Sequence, residues 1–343
     1  MITNESMVEP KCYFLLTMDC ERVQDKDSYP VGPLSWQESE ENIVAFGGIS
    51  LRFGYKATFF AVPEAAERHA GIFRELIRSG HEIGLHLHPD TFRYGVNENL
   101  GNLPYEAQFR IIKDARDVFK DAMGFLPTSF RSGYFSASCD TFRALSELGF
   151  KRGSCVIPGR HLSGSGGNWK EWSGQCKYID RYFEAPVTAI QYKRSLSWLI
   201  NLQSVKDLMA NGFFFAAAKK SVIPIYRMIK PLDKGAGNVR NKNEKEALVL
   251  DLRIENGEDL ALRYLLAPRL NMTKSGSDFP VLTSFTHNYV NYTGAHYGKH
   301  EYGVSRKICL EKILRYLNDR KDISVKPATL CELQNEYDKI FAK

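Results

Sequence analysis

Short apolar runs alternate along the chain with longer stretches in which apolar residues recur every third or fourth position, and this alternation predicts an α/β fold on a mainly parallel sheet. The first run, Tyr13 to Met18, reads as a buried strand. Helical spacing near Asn42 to Phe53 leads into a second strand, Ala57 to Ala61, rich in the aromatic and β-branched residues that strands favour. Pro63 is placed to open a helix whose apolar positions Ile72, Phe73, Leu76 and Ile77 recur at helical spacing, and Gly80 to end it. The unit then repeats with a strand from Glu82 to Leu85, a helix over Tyr105 to Met123, a strand at Thr128 to Phe130 and a helix over Ser138 to Leu148 that Gly149 stops.

Beyond Gly149 the regularity weakens. The Gly/Ser-rich stretch Ser163 to Asn168 reads as a surface loop with Trp169 and Trp172 just past it. Strands at Leu248 to Leu252 and Val281 to Thr286, separated by a helix around Asp259 to Leu266, resume the pattern. A helix over Ser305 to Leu317, a short strand Ile323 to Val325 and a last helix opened by a capping box, Thr329 to Glu332, complete it. One segment stands apart: Leu196 to Leu232 is aromatic at Phe213 to Phe215, basic at Lys219, Lys220, Arg227 and Lys230, and broken by Pro224. It reads as an inserted helical pair packed on the domain, with an interfacial helix reaching a lipid-linked substrate as the alternative. The expected organisation is a flexible stretch 1–10 and a single domain 11–343 with an inserted helical, basic segment at about 196–245.

Composition narrows the class. Apolar residues at 43% and charged residues at 25% are those of a globular protein. A net charge of +6 without a patterned basic patch gives no case for nucleic acid, though it would suit an anionic glycan or a peripheral membrane contact. The seven cysteines are scattered and never spaced C-x-x-C, which fits a reducing compartment. The first ten residues lack the basic and apolar regions of a signal peptide, and no apolar run has the length of a transmembrane helix. The expected location is cytoplasmic, including the inner face of the membrane.

Candidate chemistry collects at strand ends. Asp19 and Glu21 close the first strand, and two carboxylates so placed can divide the work of metal ligand and general base. After the third strand come His81, Glu82, His86, His88 and Asp90, a dense group in a chain of only eight histidines, with donor types that suit zinc or a similar divalent ion. His86 and Asp90 share one face if the segment is a helical turn, and His88 competes for the same role. His81 is expected to pack or cap at the preceding turn. Arg131 can orient a base carboxylate by a charge-assisted pair, while Gly133 and Tyr134 offer backbone N–H groups to an oxyanion. His287 can protonate a departing amine, and Trp169 and Trp172 can stack on sugar rings. A serine hydrolase is excluded by the lack of G-x-S-x-G, and nucleotide binding by the lack of a glycine-rich loop between strand and helix.

In order along residues 13–290 these motifs resemble the polysaccharide deacetylase family, also called the NodB-homology domain or carbohydrate esterase family 4. The resemblance is carried by Ala57-Thr-Phe-Phe60, Gly80-His-Glu-Ile-Gly84 leading into His86, Arg131 with Tyr134, the helix Thr141 to Phe150, the acidic-Pro motif Glu184-Ala-Pro186-Val187, and His287. It implies a distorted (β/α)7–8 barrel with a helical insertion, and a hydrolase that removes N-acetyl or another acyl group from a sugar. One divalent ion, zinc, is implied as cofactor, and an N-acetylated sugar or glycan, lipid-linked forms included, as partner. Carried over, Asp19 is the base, Glu21 and His86 are metal ligands, His88 or Asp90 completes the set, Arg131 orients the base and His287 is the acid. The chain departs from the family where Cys20 stands between its carboxylates and Asp90 stands at the second histidine. Those departures leave two rivals, a non-catalytic glycan-binding barrel and an amide or ureide hydrolase working without metal.

Overall fold

The computed structural model describes residues 11–25, 32–90, 96, 98–159, 169, 172, 174–193, 245–250, 252, 279–294, 305–321 and 323–341. The stretch 1–10, the loop at 163–168, the helix expected around 259–266 and all of the segment 196–245 except Lys245 lie outside them.

The long first strand β1 (Lys11–Cys20) alternates its side chains between two environments, as a strand must. Cys12, Phe14, Leu16, Met18 and Cys20 pack in one core with residues of the helices that follow, while Tyr13 and Leu15 belong to a second core on the other face. The helix α1 (Trp36–Arg52) begins six residues before the sequence pattern suggests, because Ser35 caps it by accepting the Glu38 N–H. Three βα units then follow: β2 (Ala57–Ala61) and α2 (Pro63–Arg78), β3 (Glu82–Leu87) and α3 (Tyr105–Met123), β4 (Ser129–Ser132) and α4 (Cys139–Glu147). Pro63 stands at the start of α2, where its missing N–H costs nothing.

The strands β5 (Arg152–Gly153), β6 (Lys177–Ile179) and β7 (Tyr182–Glu184) are short, and β8 (Ala189–Lys193) pairs antiparallel with β9 (Lys245–Val249) in a ribbon of its own. The strand β9 begins earlier than the expected Leu248 to Leu252, and the far end of the expected stretch meets Phe285, whose N–H donates to the Leu250 carbonyl and whose carbonyl accepts the Leu252 N–H. After β10 (Val281–Thr283) come α5 (Lys307–Asn318), β11 (Ser324–Pro327) and α6 (Leu330–Phe341), the last opened by the expected capping box between Thr329 and Glu332. The order β10-β1-β2-β3-β4-β5-β7-β6, with β11 also on β1, is parallel throughout except for β6 with β7. The sheet curls into a half-barrel, the distorted (β/α) barrel that the sequence resemblance implies. Residues beyond β7 carry the chain across the gap, since Val187 N–H donates to Val156 and Thr188 N–H to Thr283.

The two ends of the sheet are finished differently. Beneath the strand starts, α6 brings Leu330 and Leu333 against Leu15, Phe60 and Phe183. Its first turn also donates backbone N–H groups to Thr58 and Glu82. The strand ends form the mouth. Among the described residues no helix is long and apolar enough to cross a membrane.

Candidate metal centre and active site

Strand periodicity assembles the mouth. Thr17, Asp19 and Glu21 occupy alternate positions at the end of β1 and so share its inner face, with Met18 and Cys20 turned into the helix-side core. His86 and His88 do the same at the end of β3, with Leu85 and Leu87 turned outward into that core. Parallel pairing of β1 with β2 and β2 with β3 brings the two ends level.

Glu21 Oε1, His86 Nε2 and His88 Nε2 converge: each histidine nitrogen is 3.2 Å from the carboxylate oxygen, and the two nitrogens are 3.1 Å apart. All three residues are buried. The Nδ1 of His86 lies 2.8 Å from the Arg131 carbonyl, which only accepts, so Nδ1 carries a proton and His86, in its neutral form, turns a lone pair toward Glu21. Lone pairs facing one another in a dry site repel unless a cation sits among them. Donors around a tetrahedral zinc at about 2.0 Å stand about 3.3 Å apart, so the observed triangle fits such an ion. Burial opposes the charge on Glu21, but His88 and His86 together outweigh it and hold its carboxyl well below the usual range. Burial likewise works against a charged His86, and the carboxylates of Glu21 and Asp19 overcome it and raise its pKa.

Asp90 is not in this group; its Oδ1 lies 3.9 Å from His88 Nδ1, behind the ring. The helical-turn spacing that pairs His86 with Asp90 does not apply, because His86 lies in β3, where a period of two selects His88. Gly133 makes room for that ring: a Cβ there would come within 2.4 Å of His88 Nδ1. Tyr134 and Phe135 both adopt left-handed backbone, with φ of 55° and 54°, a conformation that costs such residues about 1–3 kcal/mol each. The strain sets the Tyr134 ring edge-on to His88 at 4.6 Å and the Phe135 ring 5.4 Å from the Arg131 guanidinium. Burial, with Asp90 and Glu21 nearby, pushes the half-exposed Tyr134 hydroxyl up to about 12, so it remains protonated.

Beside the triangle, Arg131 is fully buried, donates from Nη1 to Asp19 Oδ1 and to Thr17 Oγ1, both at 2.8 Å, and lies over the Phe60 ring. His287 follows β10 and is joined to Asp19 by a backbone bridge. Its Nε2 stands 3.9 Å from Asp19 Oδ2 and 4.0 Å from Glu21 Oε1. Asn288, to which the sequence pattern assigns no part, grips the Glu21 backbone at both ends, accepting its N–H and donating to its carbonyl, each at 2.9 Å. Its position directly after His287 at a strand end is the only sequence signal for it. Trp169 packs on Phe142 of α4 and on Trp172, whose ring lies 3.7 Å from Lys177 Nζ.

A parallel half-barrel whose strand ends carry a buried carboxylate–imidazole triangle and an Asp–Arg pair defines a NodB-type barrel with a candidate hydrolytic centre. Residues 39–153 match the family model described as polysaccharide deacetylase, the family that the sequence motifs resemble. Three solved structures share the fold. A Mycobacterium smegmatis protein assigned as a polysaccharide deacetylase aligns with a TM-score of 0.54 at 15% identity, over 98% of this chain and 92% of that one. A Pseudomonas aeruginosa PAO1 protein with the same assignment gives 0.52 at 11% identity, over 97% and 92%. The PuuE allantoinase gives 0.50 at 11% identity, again over 97% and 92%. No curated protein matches the chain.

Proposed function

We propose that this protein is a metal-dependent N-deacetylase acting on a sugar, an intermediate of surface-polysaccharide assembly in free or lipid-linked form. The observation that carries the proposal is the convergence of Glu21, His86 and His88 at donor spacings that suit one divalent ion, next to the Asp19–Arg131 pair. Zinc is the ion whose preferred donors and spacing these residues offer. When bound, such an ion supplies Lewis-acid polarisation at the open side of the triangle.

The chain's own groups account for the proton movements. Asp19, oriented by Arg131, takes the proton of the attacking water as its oxygen bonds to the acyl carbon. The amide carbonyl becomes an oxyanion, for which the backbone N–H of Tyr134 is the candidate donor. As the carbon–nitrogen bond breaks, His287 Nε2 delivers a proton to the leaving sugar amine, and free acetate departs. Acetate release from N-acetylated sugar intermediates tests the reading, with metal analysis of the same samples. The wild type releases acetate and carries metal, whereas His86→Ala loses both; a wild-type chain that holds metal yet releases no acyl group from such substrates contradicts the proposal.

A further inference from the structure

Glu184, at the end of β7, is a fully buried acid that no step above uses. Its Oε1 accepts two consecutive backbone N–H groups, from Cys155 at 2.7 Å and Val156 at 2.9 Å. The Cys155 N–H belongs to the same peptide unit as the Ser154 carbonyl. A trans peptide is planar, with N–H and C=O pointing in opposite directions, so anchoring one fixes the other. The Ser154 carbonyl points at Arg131 and accepts its Nε–H at 3.0 Å. Arg131 in turn donates Nη1 to Asp19. A carboxylate on the N–H side also polarises the peptide and makes its carbonyl the stronger acceptor.

We propose that Glu184 is a positioning residue for the general base, acting through the Ser154–Cys155 peptide and the Arg131 guanidinium to hold Asp19 in place. The inference rests on the reading of Asp19 as base. Glu184 touches neither Asp19 nor the metal triangle, and what it supplies is reach and an acceptor oxygen. Burial pushes its pKa up to about 7, so reach rather than permanent charge is the property that counts.

Three substitutions separate these properties. Glu184→Gln keeps the reach and an acceptor oxygen, Glu184→Asp withdraws the acceptor by one methylene, and Glu184→Met fills the volume without accepting. The readout is hydrogen exchange of the Arg131 Nε–H in protein labelled with 15N-arginine, its signal assigned by loss in Arg131→Lys, alongside acetate-release kinetics. In Glu184→Asp the Nε–H exchanges about tenfold faster or more, and kcat falls by a similar factor at unchanged KM, while Glu184→Gln stays within about threefold of wild type on both. Glu184→Met decides in the same way if the aspartate chain does not fold. Folded Asp or Met chains whose Nε–H exchange stays within about threefold of wild type overturn the proposal, and so does a glutamine chain that loses protection as fully. Wild-type protein that releases no acetate but shows the stated exchange pattern removes the deacetylase reading and leaves the peptide link standing.

Discussion

The two ends of β3 place the same residue types in opposite electrostatic settings. At its start, His81 accepts the Ala57 N–H on Nδ1 at 2.9 Å, packs edge-on to Phe59, and is pushed down to about 4 by burial, so it is neutral. At its end, His86 is as deeply buried but faces Glu21 and Asp19, and its pKa is raised. The acids differ in the same way. Glu82 is surrounded by donors, the Cys331 N–H, the hydroxyls of Thr58 and Ser129, and Arg152 at 3.6 Å. Glu21 Oε1 faces ring nitrogens, one of which must present a lone pair. Residue type does not separate structure from function here; the proton inventory around each group does.

The largest effect expected is on turnover. Asp19→Asn lowers the rate of acetate release by about 10²–10⁴-fold, the usual contribution of a general base, while leaving metal affinity nearly unchanged. Next comes the contrast along β3. In a metal titration, His86→Ala or His88→Ala weakens binding by more than about a hundredfold, beyond the loss expected for a neighbour of a ligand. His81→Gln binds metal as the wild type does but loses about 1–3 kcal/mol of stability in urea unfolding, because the buried Ala57 N–H loses the Nδ1 acceptor that now satisfies it. A reversal of those two outcomes would erase the distinction between the ends.

A finer test uses glycine. Gly133→Ala drives a methyl into the His88 ring, so it weakens metal binding by about tenfold and costs about 1–3 kcal/mol. Gly48→Ala, with nothing within 4 Å of the new carbon, does neither.

The smallest effect is on acid stability. Burial pushes His69 down to about 4, with Arg68 adding to it, as burial does His81. In the unfolded chain both rebind protons near 6.5, so the unfolded state holds more protons and stability falls as pH drops from 6.5 to 4. Glu184, raised to about 7, works in the opposite sense as a single group. Thermal midpoints recorded across the window should decline toward acid, and a flat profile contradicts the assignment of these histidines as buried and neutral.

Much of this is written in the chain, and the limits are physical. The repeat from Tyr13 to Leu148 is legible because each βα unit carries its own period and caps, as with Ser138 before α4 and Pro63 at α2. The strands β5 and β7, of two and three residues, are too short to show a period. Their pairing depends on neighbours distant in sequence. Asp19, Glu21, His86, Arg131 and His287 are legible because strand ends concentrate chemistry, and the D-x-E and H-x-H spacings are both the period of a strand. Reading the second as a helical turn is what favours Asp90. Asn288 and Ser154 act through backbone atoms or on them, and a sequence records side chains only. The stacking role expected for Trp169 and Trp172 has no local signal that separates it from packing on Phe142.

The central claim is that one divalent ion belongs among Glu21, His86 and His88. Anomalous diffraction from crystals soaked in zinc tests it directly. The account predicts one strong peak about 2.0–2.2 Å from Glu21 Oε1, His86 Nε2 and His88 Nε2, with Asp90 outside the coordination sphere. A peak bound by Asp90 in place of His88, or no peak at the strand ends while zinc binds elsewhere, would contradict it.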